Sequence, residues 1–262
     1  MKLKRAGIIS LILILLCDIP IVCADAQKGL AIAREMKARE KEFGNYAADM
    51  KMVLISVSGK ETVRELHVIT REVDGDGDQS LAIFDSPADV KGTGFLTYTH
   101  INRDDDQWLY LPSLKRVKRI APNNKTAPFM GSEFSYEDLT SFEVENYTYK
   151  YIGNEKLDNV DCFLLDRFPV NEHSGYSRQR VWVEKNRYLA LKIDYYDKKN
   201  EKIKTLESAN FNKYLDKFWF AHEMKMRNHK SRKASILYWQ NYRFRQPLRE
   251  IDFQPGSLKR IR

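Results

Sequence analysis

Three aspartates at alternate positions are the first residues whose type and spacing could do chemistry. Asp74, Asp76 and Asp78 in the stretch DGDGDQ have the spacing of the first ligands of an EF-hand calcium loop. That loop also needs a glycine at its sixth position and a glutamate at its twelfth, where this chain has Gln79 and Asp85. The sequence on either side predicts strands instead of helices. The stretch is therefore interpreted as a hairpin turn, and no metal site is predicted.

The sequence shows no catalytic motif. His222-Glu223 begins like a zinc-protease helix, but Met226 stands where the second histidine is required. No serine lies in a Gly-x-Ser-x-Gly elbow, no glycine-rich phosphate loop is present, and the acidic run 103–106 is interpreted as a solvated turn. We predict neither an enzyme nor a cofactor, although two carboxylates that meet in space would escape this search.

The densest group of positive charges lies within six residues, KRVKRI. It comprises Lys115, Arg116, Lys118 and Arg119. One interpretation is an edge strand that keeps its charges in water and so resists pairing with other chains. The other is a docking patch for an acidic protein surface or anionic lipid head groups. The two interpretations have about equal weight.

The N-terminus has the three-part layout of a secretory signal peptide. Three basic residues in the first five positions precede the apolar run 8–17, which is shorter than the roughly 20 residues that span a bilayer. Cleavage is predicted after Ala26, with Ala24 as the alternative. We therefore expect a leader over 1–26 and a single exported domain over 27–262.

Cysteine content fits an exported protein whose core alone makes it stable. Cleavage would leave only Cys162, which cannot form an internal disulfide and is expected to be a buried small hydrophobe. Cys23 follows Val22 instead of the small residue of a lipobox, so an ordinary leader cysteine is favoured over a lipid anchor. The chain has a net charge of +8, but export argues against a nucleic-acid partner.

After one amphipathic helix the hydrophobic pattern has a period of two. Residues 27–43 have apolar positions at helical spacing, ended by Gly44. Roughly eleven or twelve short strands follow, the clearest near 144–153, 159–168, 178–184, 188–197, 202–210, 217–227 and 234–244. Helical signal returns only at 132–142. The fold class is therefore mostly β with few helices, in one domain.

Several strands are apolar on both faces, for example QWLYLP, DCFLLDRF and KFWFAHEM. A strand with one wet face should alternate more cleanly between apolar and polar residues. Each such strand is therefore covered on both sides or faces an apolar cavity, and a thick aromatic core would produce the same pattern.

The stretch 92–139 resembles the outer-membrane lipoprotein-sorting proteins, the LolA-like periplasmic carriers. The resemblance is carried by DDQWLYLP, by LKRVKRI directly after it, and by FMGSEFSYEDL about ten residues further on. Each piece is weak alone, but their order and spacing are specific.

The resemblance implies a curved, incompletely closed antiparallel β-barrel of about 11 strands, with helices as a lid over an apolar cavity. It also implies a monomeric carrier that binds lipid or lipoprotein acyl chains in the periplasm of a two-membraned bacterium. The implied cavity and lid residues are Phe95, Trp108, Tyr110, Phe129, Met130, Phe134, Tyr136 and Leu139. Further wall positions are predicted from the strands that are apolar on both faces, at Trp182, Trp219 and Trp239.

Three functions remain for comparison. The leading one is a lipid or lipoprotein carrier that delivers its cargo toward the outer membrane or to a membrane transporter, with Lys115, Arg116, Lys118 and Arg119 as docking residues. The alternatives are an adaptor or structural protein of an envelope transport system that binds no cargo, and a secreted hydrolase.

Overall fold

The computed structural model describes residues 19–260, with one α-helix and thirteen strands. The helix is α1 (Ile19–Glu40). The strands are β1 (Asn45–Ile55), β2 (Glu61–Arg71), β3 (Gln79–Ser86), β4 (Gly94–Tyr98), β5 (Asp106–Leu111), β6 (Arg116–Ile120), β7 (Tyr147–Leu157), β8 (Val160–Pro169), β9 (Tyr176–Glu184), β10 (Ala190–Asp197), β11 (Lys202–Tyr214), β12 (Phe218–Asn228) and β13 (Ala234–Phe244). Short 3-10 helices span Pro112–Leu114, Pro122–Asn124, Phe129–Gly131, Tyr136–Leu139, Val144–Asn146, Glu250–Phe253 and Pro255–Lys259.

The predicted mostly-β fold class is confirmed, and its strand count is corrected from about eleven to thirteen. The helical signal at 132–142 corresponds to the short 3-10 helix Tyr136–Leu139, in which Ser135 and Asp138 form a capping box. Residues 1–18 of the predicted leader lie outside the described residues. None of the helices within 19–260 has the length and apolarity to cross a membrane.

All thirteen strands form one antiparallel sheet. Their order is β6-β5-β4-β3-β2-β1-β13-β12-β11-β10-β9-β8-β7. Consecutive strands are therefore neighbours in the sheet except β6 and β7, which lie at its two edges, and the first strand, β1, pairs with the last, β13. The sheet curls around its inner face, but its two edge strands, β6 and β7, do not pair with each other. The barrel is therefore an open curved sheet.

The inner face holds the main core. Strands from both halves of the sheet contribute to one cluster, for example Leu66, Leu165 and Met226. Ile32 and Met36 of α1 pack into it, as do Phe129 and Phe134 from the connection between β6 and β7. Because a curled sheet leaves an open side, α1 and this connection fill the space that a flat second layer would occupy.

The outer face is covered in two places, which explains why QWLYLP in β5 and DCFLLDRF in β8 are apolar on both sides. The C-terminal 3-10 helices place Phe253 and Leu258 against Leu81, Ile83 and Leu96. On the other half of the sheet, Cys162, Leu164 and Trp182 form a second outer cluster. The predicted burial of Cys162 is confirmed, since its side chain is inaccessible to solvent.

The ladder between β12 and β13 is short. It joins only the five pairs from Glu223↔Tyr238 to Arg227↔Ala234, whereas β11 and β12 stay paired to Tyr214↔Phe218. The register of β13 against β1 shifts between Gln240 and Arg243, where Asn241 has a φ of 54°. A bulge of this kind bends the strand, and here the second half of β13 follows β1 away from β12.

Candidate functional site

A cavity of about 290 Å³ lies on the inner face between the curled sheet and the elements that cover its open side. Its walls come from α1 and the residues just after it, from β1 to β4, from β12 and β13, and from the connection between β6 and β7. The lining residues are Lys37, Glu40, Phe43, Tyr46, Met50, Val68, Thr70, Glu72, Asp78, Ser80, Ala82, Phe95, Thr97, Phe129, Phe134, Asp138, Leu139, Thr140, Ser141, Phe142, Phe220, Met224, Leu237 and Trp239.

The register of β2 to β4 places an apolar row on the cavity face. Val68 pairs with Ala82, which pairs with Phe95. Phe95 then packs against Phe129, with ring centroids 4.8 Å apart and the ring planes tilted by 44°. Since side chains alternate between the faces of a sheet, the strand pairing alone brings these apolar groups together.

Two residues further along the same strands, on the same face, lies a row of hydroxyls, formed by Thr70, Ser80 and Thr97. Thr70 Oγ1 lies 3.1 Å from Ser80 Oγ. The Thr97 hydroxyl has no hydrogen-bond partner within the described residues, and its side chain is only 1% exposed. Such an orphaned group is costly in a folded protein unless a ligand or water satisfies it.

Beyond the hydroxyl row is a group of four charged residues and one serine that we call the acidic mouth: Lys37, Glu40, Asp78, Glu143 and Ser141. Lys37 Nζ bonds to Glu143 Oε1 at 2.9 Å, and the Ser141 hydroxyl donates to Asp78 Oδ2 at 3.0 Å. Glu40, the last residue of α1, lines the cavity and is also exposed to solvent. The cavity is thus apolar at one end and charged at the other.

Burial dominates the electrostatics of the mouth. It raises the pKa of Glu40 to about 7, with the nearby charges of Lys37, Asp78 and Glu143 acting as smaller influences. Burial also raises the pKa values of Asp78 and Glu143, against the opposing charge of Lys37. For Lys37, burial works against the ammonium, but the charges of Asp78 and Glu143 outweigh it and raise the pKa. The mouth therefore holds more carboxylates than its one lysine can stabilise.

A second polar cluster anchors the cavity wall at Asp138. Its carboxylate accepts hydrogen bonds from the Ser135 backbone N–H at 2.7 Å, from the Tyr176 hydroxyl at 2.7 Å and from Lys204 Nζ at 3.1 Å. Lys204 also donates to the Tyr176 hydroxyl at 2.9 Å. This ion pair links the 3-10 helix Tyr136–Leu139 to β9 and β11, so the wall is held rigidly against the sheet.

Five of the residues predicted to line a cavity do so: Phe95, Phe129, Phe134, Leu139 and Trp239. Two more stand directly behind it. Tyr136 packs on Phe95 and Phe129, with centroids 5.6 Å from each, and Met130 packs against the same core.

Four of the predicted residues are placed elsewhere, which corrects the prediction. Trp108 and Tyr110 lie on the outer face of β5, in the cluster covered by the C-terminal 3-10 helices. Trp182 belongs to the outer cluster with Cys162. Trp219 does not line the cavity; the Arg187 guanidinium carbon lies 4.8 Å from the centroid of its indole ring. Period-two patterning shows that a strand has two faces without showing which one turns inward.

The polar cavity residues Lys37, Glu40, Asp78 and Thr97 were missed by sequence reasoning. They come from three separate stretches of chain, and no local spacing connects them. The one available signal was the alternation of Thr97 and Thr99 within an otherwise apolar strand, which puts both hydroxyls on one face.

The predicted docking residues lie together on the edge of the sheet. Lys115, Arg116, Lys118 and Arg119 are all exposed, and three of them belong to edge strand β6. Arg119 pairs with Asp106. This placement satisfies the protected-edge interpretation and the docking interpretation equally.

The two acidic turns have a structural role that corrects the expectation of a merely solvated loop. Burial raises the pKa of Asp105, which accepts the His100 backbone N–H at 3.0 Å. Asp76 and Asp106 flank the His100 ring, at 2.5 Å from Nδ1 and 3.2 Å from Nε2. Within residues 19–260, no group of three or more side chains has the arrangement of a metal site.

Comparison with known proteins gives a consistent result. The profile of a family described as uncharacterized protein matches residues 76–260. An outer membrane lipoprotein-sorting protein domain from Vibrio parahaemolyticus is 48% identical, with a TM-score of 0.88, over 89% of this chain and 99% of its own. A DUF1329 family protein from Desulfovibrio piger is 32% identical, with a TM-score of 0.85, over the same shares.

The fold also matches more distant structures. A LolA superfamily protein from Nitrosomonas europaea is 17% identical, with a TM-score of 0.69, over 88% of this chain and 97% of its own. No curated protein matches the chain by sequence.

Proposed function

The chain belongs to the DUF1329 family and has the LolA superfamily fold, and from that premise we propose that it is a periplasmic carrier of lipidic cargo. The observation that carries the proposal is the cavity of about 290 Å³, whose deep end is lined by Phe95, Phe129 and Phe134. Its volume is about twice that of an engineered apolar cavity that binds benzene. It therefore has room for one short alkyl chain or for part of a longer one.

The physical reason for such a carrier is the cost of moving acyl chains through water. Each exposed CH₂ costs about 0.8 kcal/mol, so a cargo with a dodecyl chain needs an apolar container for transport between membranes. Inward-facing aromatic side chains supply that container here, and the acidic mouth offers the cargo's polar end a place close to solvent.

Delivery needs partners, and the exposed basic residues of β6 are the proposed contact. A membrane transporter or an outer-membrane acceptor with an acidic surface would meet Lys115, Arg116 and Lys118 without disturbing the cavity. We propose a monomeric, non-enzymatic carrier, since cargo transfer requires no bond to be made or broken.

The test is uptake of a neutral apolar dye, N-phenyl-1-naphthylamine, with native mass spectrometry of the gently purified protein. Ala82→Phe places a ring in the cavity and should weaken dye binding at least tenfold. Ala221→Phe makes the same change on the outer face of β12 and should leave binding within twofold. Neither variant should lose more than the roughly 1–3 kcal/mol of an overpacked site.

Two results would overturn the proposal. One is the absence of both co-purifying lipid and dye uptake in the unmodified protein, which would favour an adaptor role. The other is turnover of an ester, glycoside or peptide that a single substitution abolishes, which would show a hydrolase.

A further inference from the structure

The charged residues that line the cavity are unevenly divided between signs. Among the described lining residues, one is a cation, Lys37, and four are acids: Glu40, Glu72, Asp78 and Asp138. Lys37, Glu40, Glu72 and Asp78 lie beyond the hydroxyl row, close enough for their charges to act on one another. Asp138 belongs instead to the second polar cluster, with Lys204. The sign of the net charge at this end of the cavity determines which cargo head group can bind there.

Three of the charges already have partners in the fold. The Lys37 ammonium bonds to Glu143 at 2.9 Å. Asp138 pairs with Lys204 at 3.1 Å. Glu72 accepts the backbone N–H groups of Glu42 and Gly44 at 2.7 and 2.6 Å.

Two carboxylates are left without a dedicated cation. Asp78 accepts a hydrogen bond from the neutral Ser141 hydroxyl, and the Glu40 carboxylate has no hydrogen bond among the described residues. The nearby Arg167 guanidinium stacks on Phe142 and Tyr147, at 5.0 and 4.7 Å from the ring centroids, and donates to Gln179. Lys41 is exposed to solvent.

The orphaned Thr97 hydroxyl is a second and independent sign that a ligand's polar part comes here. It lies on the cavity face, two residues along β4 from Phe95, at the boundary between the apolar row and the charged end. A group crossing that boundary can hydrogen-bond to Thr97 while its chain contacts Phe95.

We propose that the cavity selects amphiphiles with a positively charged head group, held between Glu40 and Asp78, with the alkyl chain pointing toward Phe95 and Phe129. The inference rests on the proposed carrier function and adds the chemical class of the cargo. An amine or ammonium supplies the missing countercharge at the mouth. A carboxylate or phosphate in the same place would meet like charges in a partly desolvated site, where repulsion is strongest.

Three amphiphiles with the same ten-carbon chain separate the head group from the chain: decyltrimethylammonium, 1-decanol and decanoate. Affinities are measured by displacement of N-phenyl-1-naphthylamine at pH 8, above the pKa of about 7 of Glu40. The unmodified protein should bind decyltrimethylammonium at least tenfold more tightly than decanoate, with decanol between them.

Substitutions at the acidic mouth test whether its carboxylates cause the preference for the cation. The double variant Glu40→Gln with Asp78→Asn should reduce the preference for the cation to less than threefold and leave decanol affinity within twofold. Asp49→Asn removes one carboxylate from the outer face of β1, where Asp49 pairs with Arg243, and should leave the preference unchanged.

The possible failures are distinguishable. If decanoate binds as tightly as the cation, or if the double variant keeps the full preference, the head-group inference is wrong and the carrier function stands. If none of the three amphiphiles displaces the dye and the dye itself is not bound, the carrier function fails as well.

Discussion

At the scale of single residues, Glu137 is a carboxylate whose titration should affect stability. It accepts the Ser174 hydroxyl at 2.9 Å and the Gly175 backbone N–H at 3.0 Å. Burial, reinforced by the charge of Asp138, nevertheless raises its pKa to about 7. It therefore binds a proton more tightly in the folded chain than in the unfolded one.

The sign of the pH dependence follows from that difference. Between about pH 4.5 and 7 the folded state holds more of this proton, so the contribution of Glu137 is complete below that range and is lost as the pH rises through it. Glu137→Gln should remove this loss of stability with rising pH, because glutamine does not titrate. The free energy of unfolding of the unmodified protein, relative to the variant, should fall by about 1–2 kcal/mol between pH 5 and 8.

Urea unfolding at several pH values measures this slope. Exposed Glu145→Gln is the matched control and should leave the slope unchanged. Equal slopes for the unmodified protein and Glu137→Gln would contradict the prediction.

At the scale of elements, the docking of α1 on the sheet depends on one glycine. A Cβ at Gly29 would lie 3.0 Å from both Tyr149 Cβ and the Tyr151 backbone nitrogen of β7. Gly-to-Ala in an exposed helix normally stabilises it by about 1 kcal/mol. Here the contact with backbone reverses the sign, and Gly29→Ala should destabilise the protein by about 1–3 kcal/mol.

Urea unfolding also tests this prediction. Ala31→Gly on the exposed face of α1 is the control and should show only the ordinary glycine cost of about 1 kcal/mol. A stabilising Gly29→Ala would mean that α1 does not pack tightly on β7.

The elements were also the most predictable part of the molecule. Strands β7 to β13 lie within a few residues of the predicted segments, because alternation of apolar and polar residues is a local property of the chain. The orientation of each strand is not local. The family resemblance predicts Trp108 in the cavity, yet its neighbour Leu109 is the residue that faces inward.

At the scale of the whole molecule, the last described residues act as a cover for the sheet. Phe253 is 1% exposed, lies against the outer face of β3 and β4, and is contacted by Arg71 at 4.5 Å from its ring centroid. Phe253→Ala should therefore cost about 3–5 kcal/mol of stability and leave cargo affinity within twofold.

Thermal unfolding together with dye binding checks this separation, and Ile251→Ala, at an exposed position of the same segment, should change neither. Loss of affinity in Phe253→Ala while the protein is still folded would show that the two faces of the sheet are coupled.

This cover could not be predicted from the sequence. Residues 250–259 have neither helical nor strand periodicity, and their apolar side chains become meaningful only beside the outer face of β3 and β4. The acidic mouth is similar, since Lys37, Asp78 and Glu143 meet only after the sheet has curled and α1 has docked.

The ladder between β12 and β13 is short, with only five residue pairs, and we call this junction the seam of the sheet. Residues 218–222 of β12 are paired with β11 on one side only, and Phe220 lies at the cavity wall beside the place where the strands part. Backbone amides along this stretch should exchange with deuterium faster than those of β1, which is paired on both sides. A sheet that widens at one seam could admit a bulkier cargo while its other hydrogen-bonded ladders stay intact.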